Sequence, residues 1–204
     1  EDLASLRADP RFEDLQPRPE DFAHPFVEPV KILREFDGEG PNDQFGWIAR
    51  DIGDVDGDGV HDFVTSAPSK AIPPTKEGAA AGRVYVYSTG RNKLLWSVDG
   101  QPGDGLGTGI EAAGDTDRDG IPDVVAGAPG GPETVGKAYL YSGRDGRLLR
   151  SFNGTEKGDS FGQHVSTAGD LDQDGYADVI VGAPGSGRNA GKAFVYSGRD
   201  GHLL

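Results

Sequence analysis

The feature that most constrains this chain is a threefold internal repeat. One unit reads Phe45-Gly46, then GDVDGDGVHDFVTSAP (Gly53 to Pro68), then GRVYVYSTGRNKLLWSVDG (Gly82 to Gly100). The second reads Leu106-Gly107, GDTDRDGIPDVVAGAP (Gly114 to Pro129) and GKAYLYSGRDGRLLRSFNG (Gly136 to Gly154). The third reads Phe161-Gly162, GDLDQDGYADVIVGAP (Gly169 to Pro184) and GKAFVYSGRDGHLL (Gly191 to Leu204). The first spacing, Asp54 to Asp115, exceeds the second, Asp115 to Asp170, and the extra length falls around Lys70 to Ala81. Insertion confined to one connecting segment is what a stack of equivalent units predicts.

Each unit offers four short strands: the segment after Phe-Gly, the run after the Asp-rich loop, the Tyr/Val run, and the Leu-Leu run. Val84-Tyr85-Val86-Tyr87, Ala138-Tyr139-Leu140-Tyr141 and Ala193-Phe194-Val195-Tyr196 lack strict polar alternation, which suits strands buried on both faces. Ser-Gly-Arg-Asp-Gly (Ser142 to Gly146, Ser197 to Gly201) supplies a hairpin turn with glycine where a positive φ is wanted. Four antiparallel strands per unit describe a β-propeller blade. The expected fold is all-β: three four-stranded blades at about 45–100, 105–154 and 161–204, forming a partial propeller over 30–204. Residues 1–29 hold five of the 14 prolines and read as an arm or linker with one short helix near Asp2 to Ala8. A strand is expected at Val30 to Phe36, resembling the outer strand of a blade.

The chemistry lies in DVDGDGVHD (Asp54 to Asp62), DTDRDGIPD (Asp115 to Asp123) and DLDQDGYAD (Asp170 to Asp178). Asp54, Asp56, Asp58 and Asp62 occupy loop positions 1, 3, 5 and 9, as do Asp115, Asp117, Asp119 and Asp123, and Asp170, Asp172, Asp174 and Asp178; glycine stands at position 6. Alternate carboxylates on a tightly turning backbone converge on one point, and the glycine permits the turn. Oxygen ligands alone select a hard cation, and flexible six- or seven-fold coordination favours Ca²⁺ over Mg²⁺. The position-7 carbonyls of Val60, Ile121 and Tyr176 are expected to complete the shells, giving about three Ca²⁺, one per loop. An EF-hand would need Glu at position 12, where this chain has Thr65, Ala126 and Val181 in β-type sequence.

Phe-Gly, then the Asp loop, then Gly-Ala-Pro resembles the FG-GAP repeat of the integrin α-chain propeller and its bacterial relatives. Leu106 replaces Phe in the second unit, and Thr65-Ser66-Ala67-Pro68 replaces the Gly-Ala-Pro form in the first; neither change touches a proposed ligand. The resemblance implies a ring of blades, calcium loops joining the first two strands of each blade, and extracellular adhesion or recognition. Propellers have about four to eight blades, so the chain is expected either to continue past Leu204 or to associate with further copies.

A formal charge of −14 argues against nucleic acid as a partner, and no apolar stretch is long enough to span a bilayer. The absence of cysteine excludes disulfides and thiolate metal sites. The histidines His24, His61, His164 and His202 are scattered, and no nucleophile, P-loop, dinucleotide or zinc-protease pattern is present, so no enzyme activity is expected. The partner expected is a protein or glycan, met outside the cytoplasm: extracellular, periplasmic or at the cell surface. A second reading is an accessory or carbohydrate-binding propeller of a secreted enzyme. Stacking on sugars would want aromatics that recur per blade, yet Trp96 aligns with Arg150, and Trp47 with Thr108 and Gln163.

Overall fold

The computed structural model describes residues 32–72 and 79–204. The chain divides into two compact units, Glu1–Glu35 and Phe36–Leu204. The arm and short helix expected over residues 1–29 lie outside the described residues. Of the strand expected at Val30 to Phe36, residues 32–36 carry no strand, a correction to the sequence reading.

The second unit is built of consecutive antiparallel sheets. The first holds β1 (Ala49–Gly53), β2 (Asp62–Ala67), β3 (Arg83–Ser88) and β4 (Lys93–Asp99) in that order. The next holds β5 (Gly109–Gly114), β6 (Asp123–Ala128), β7 (Lys137–Tyr141) and β8 (Leu148–Asn153). The third holds β9 (His164–Gly169), β10 (Asp178–Ala183) and β11 (Lys192–Tyr196), and a single bridge from Tyr196 to Leu203 stands where a fourth strand is expected. A four-residue helical turn, α1 (Ser186–Asn189), has left-handed backbone at Gly187 and Arg188 and links β10 to β11. Among the described residues no helix is long and apolar enough to cross a membrane.

The sheets pack face to face over two cores. Ile52, Val64, Val84, Val86, Trp96, Ile110, Val124 and Ala126 fill the first, and Val125, Ala138, Leu140, Phe152, Phe161, Val179 and Val181 the second. Successive residues of β6 thus serve opposite cores, and every β6 residue is buried. Alternation in hydrophobicity is lost for that reason. By contrast β11 is exposed or half-buried throughout, although its residues are of the same types as those of the better-buried β7.

The Phe-Gly and Gly-Ala-Pro segments meet within each blade. The amide of Gly46 donates to Ser66 O (3.0 Å), that of Gly107 to Gly127 O (2.9 Å), and that of Gly162 to Gly182 O (3.0 Å). The same glycines have positive φ, and two of them sit against the preceding blade: Gly107 faces Ser66 and Val84 side chains, and Gly162 faces Lys137 and Ala128 backbone. A side chain at Gly127 would meet the Gly162 carbonyl. Gly127→Ala is therefore expected to force the second and third sheets apart and cost about 1–3 kcal/mol in urea denaturation.

Candidate metal centres

Each Asp-rich loop joins the first strand of a sheet to the second: β1–β2, β5–β6 and β9–β10. A local register shift precedes each loop, between Asp51 and Gly53, between Ala112 and Gly114, and between Thr167 and Gly169, and it turns the chain out of the ladder. Two left-handed residues then coil the loop: Gly57, Arg118 and Gln173 at position 4, and Gly59, Gly120 and Gly175 at position 6. The position-6 glycines have φ of 84°, 83° and 85°.

The same hydrogen bonds recur in all three loops. The position-1 carboxylate accepts the position-6 amide: Gly59 to Asp54 Oδ2 (2.8 Å), Gly120 to Asp115 Oδ2 and Gly175 to Asp170 Oδ2 (both 3.0 Å). Position 3 accepts from position 5: Asp58 to Asp56, Asp119 to Asp117 and Asp174 to Asp172. Position 5 accepts from position 7: Val60 to Asp58, Ile121 to Asp119 and Tyr176 to Asp174. Backbone amides donating to Asp54, that of Gly59 foremost and then those of Gly57 and Asp58, hold its carboxyl below the usual carboxylate range.

Position 9 differs from the others. Asp62, Asp123 and Asp178 are buried, and each grips two separate pieces of backbone. One oxygen accepts the position-2 amide of its own loop: Val55 to Asp62 (3.0 Å), Thr116 to Asp123 and Leu171 to Asp178 (both 2.8 Å). The other accepts an amide from the turn between the third and fourth strands: Thr89 to Asp62 (3.1 Å), Gly143 to Asp123 (3.0 Å) and Gly198 to Asp178 (3.2 Å). Burial pushes the Asp123 carboxyl up to about 6 and raises that of Asp62. A cation beside either would favour the ionised form.

Carboxylate oxygens converge in each loop. Asp54, Asp56 and Asp58 bring ligand atoms within 4.8 Å of one another, as do Asp115, Asp117 and Asp123, and Asp170, Asp172 and Asp178. Asp119 and Asp174 instead face arginines of the neighbouring turn, Arg144 at 2.7 Å and Arg199 at 3.8 Å. Arg91 meets Asp56 at 2.8 Å, and Arg147 meets Asp117 at 3.4 Å. Sequence reasoning missed these arginines, although the repeated Ser-Gly-Arg-Asp-Gly turn carries Arg144 and Arg199 beside the loops, with Arg147 just after it and Arg91 in the corresponding turn of the first unit. The tripeptide Gly143-Arg144-Asp145 is a hairpin turn closed by Ser142 N to Arg147 O (2.8 Å), with Arg144 committed to Asp119. His61, His164 and His202 are all exposed, and His24 lies outside the described residues.

The residues present fit a hard divalent cation. The donor set is oxygen only, and Asp115 Oδ1 is buried without any hydrogen-bond partner, although it belongs to a carboxylate whose other oxygen is satisfied. An unpaired buried carboxylate oxygen is costly unless a cation or donor meets it. Val60, Ile121 and Tyr176 stand at the positions proposed for carbonyl ligands, with their amides already fixed by the position-5 aspartates.

The indoles are not a sugar platform that recurs per blade. Trp47 is 54% exposed and donates to Thr108 O (3.2 Å), whereas Trp96 is 8% exposed and donates to Gly143 O (2.8 Å) in the next blade.

Comparison with known proteins matches the FG-GAP repeat model to residues 51–87, 108–141 and 161–196. The chain is 31% identical over 165 residues to integrin alpha-6 of Gallus gallus, covering 76% of this chain and 15% of that protein. It is 32% identical over 167 residues to integrin alpha-4 of Xenopus laevis, covering 76% of this chain and 16% of that protein. Among solved structures, rhamnogalacturonan lyase YesW superposes with a TM-score of 0.47 at 17% identity, over 75% of this chain and 32% of that one.

Proposed function

This chain belongs to the FG-GAP repeat family, and on that premise we propose that it is a calcium-stabilised recognition or adhesion module, with one structural Ca²⁺ in each blade. The carrying observation is the threefold convergence of carboxylate oxygens, with Asp115 Oδ1 buried and unpaired at the middle site. Asp54, Asp56, Asp58, Val60 and Asp62 would hold the first ion; Asp115, Asp117, Asp119, Ile121 and Asp123 the second; Asp170, Asp172, Asp174, Tyr176 and Asp178 the third. When bound, the ion supplies positive charge that relieves repulsion among clustered carboxylates and pins the turn between two strands. Three ions would move the formal charge from −14 to −8 (−14 + 6).

Loops of this kind in extracellular modules bind with Kd of about 10⁻⁴–10⁻³ M. At ~1 mM Ca²⁺ the tighter end would stabilise the fold by about 1.4 kcal/mol per site. Such affinity suits a compartment rich in calcium, which supports a location outside the cytoplasm. Calorimetric titration of the full chain is expected to give three sites in that range, with a thermal midpoint that falls in chelator. Absence of calcium uptake would overturn the reading, and sub-micromolar sites would count against the location.

The partner is proposed to be a protein or glycan bound by loops rather than by the metal, since the aspartates are engaged with backbone and arginine. A carbohydrate-binding accessory role draws on one exposed indole, Trp47. The burial of Trp96, and Arg150 at its place in the next blade, leave that reading the weaker.

A further inference from the structure

We propose that Arg118 couples the metal loops of the second and third blades, so that filling one raises the calcium affinity of the other, while the first loop acts alone; this rests on the calcium reading above. Arg118 occupies position 4 of the second loop, in left-handed backbone at φ 63°. Its side chain leaves its own loop and enters the next. Nε donates to Gly175 O (2.9 Å) and Nη2 to Asp174 O (3.1 Å), and the guanidinium lies over the Tyr176 ring, 4.3 Å from its centroid.

Those contacts fall on positions 5, 6 and 7 of the third loop, the stretch that carries one ligand carboxylate and the position-7 carbonyl. A second link runs the same way: Ala177, at position 8 of the third loop, donates its amide to Asp115 O, at position 1 of the second (3.2 Å). Any rearrangement of Asp115 or Arg118 on binding an ion is therefore transmitted through three hydrogen bonds to the neighbouring loop.

The first pair of loops has no counterpart to either link. Position 4 of the first loop is Gly57, with no side chain to reach across. Position 8 of the second loop is Pro122, with no amide hydrogen to offer Asp54 O. Pro122 only lies beside Gly53, 3.6 Å from where a side chain there would begin. Two residue differences thus leave the first loop uncoupled while keeping the same fold.

Arg118 is a positioning residue in this scheme. Its fork orders two carbonyls at once, and a loop already ordered loses less freedom when it closes on an ion, which is the origin of positive coupling. The magnitude expected is about fivefold in affinity, the low end for coupled sites.

The test follows the Gly175 and Tyr176 amides by NMR during calcium titration of the full chain. Asp117→Asn, which disables the second site, is expected to raise the calcium midpoint of the third loop about fivefold, and Asp56→Asn, which disables the first, to leave it unchanged. Arg118→Gly keeps the left-handed backbone of the first blade's Gly57. It is expected to raise the same midpoint and to shrink the further effect of Asp117→Asn, a loss of coupling that mere weakening of the fold would not produce. In chelator, Arg118→Gly is also expected to speed hydrogen exchange at Gly175 and Tyr176, which reads the positioning without any metal. Three sites that fill independently, with the third midpoint indifferent to Asp117→Asn, would overturn the coupling and leave the calcium reading standing. No calcium-dependent shift in any loop would overturn both.

Discussion

Trp96→Ala is expected to lower the unfolding free energy by about 3–5 kcal/mol, the cost of truncating a large buried aromatic. Trp96 sits on β4 opposite Val86, in the core shared by the first two sheets. Its ring lies against Gly146 of the second blade, where a side chain would come within 2.8 Å of the indole, and its Nε1 donates to Gly143 O (2.8 Å). Truncation removes packing on both sheets and strands a carbonyl at the blade junction. Globular domains hold only about 5–15 kcal/mol in total, so a loss of this size should separate the first blade from the second before the others open. Urea denaturation in calcium measures the cost. Trp96→Phe separates the terms, since keeping a ring without its N–H should cost about 1 kcal/mol from the hydrogen bond beyond the change in packed volume. A loss under about 1 kcal/mol for the alanine variant would mean that the blades do not depend on this wedge.

Why the repeat was legible while this junction was not has a physical reason. Hairpins, loops and turns are local: the position-6 glycines, the Phe-Gly step and the Ser-Gly-Arg-Asp-Gly turn each dictate geometry within a few residues, and they recur. Strand order and loop placement follow from them. Junctions between blades depend on which face meets which, over separations of roughly fifty residues, and the units differ there. Trp96 and Arg150 align in sequence, yet one donates through an indole to Gly143 O and the other through a guanidinium to Arg199 O. Similarly, β7 and β11 share a pattern of residue types, but only β7 has a sheet on either side within this chain. The expected outer strand of the third sheet is reduced to the Tyr196–Leu203 bridge. Position 9 was legible as a carboxylate; its second task, holding the turn two strands away, is a tertiary contact that no spacing announces.

That second task makes the sharpest separation of ligand from scaffold. In chelator, Asp123→Ala is expected to cost about 3–5 kcal/mol, because it leaves buried backbone donors unpaired at about 1–3 kcal/mol each. Asp123 Oδ2 accepts both the Thr116 amide (2.8 Å) and the Thr116 hydroxyl (2.5 Å), and Oδ1 accepts the Gly143 amide (3.0 Å). Thr116 is itself buried, so water cannot readily replace these bonds. Asp117→Ala removes a carboxylate from the same convergence, but its partners are the Asp119 amide within the loop and Arg147 on the surface. It should leave the cation-free fold nearly unchanged. With calcium present the two variants should converge in one respect, each losing the second site in calorimetry, while only Asp117→Ala retains near-native stability in chelator. Equal destabilisation by both without metal would mean that position 9 has no scaffold role beyond that of a ligand. If Asp123→Ala alone collapses, the metal loop is a shell of carboxylates hung on one buried aspartate that ties it to the outer half of the blade.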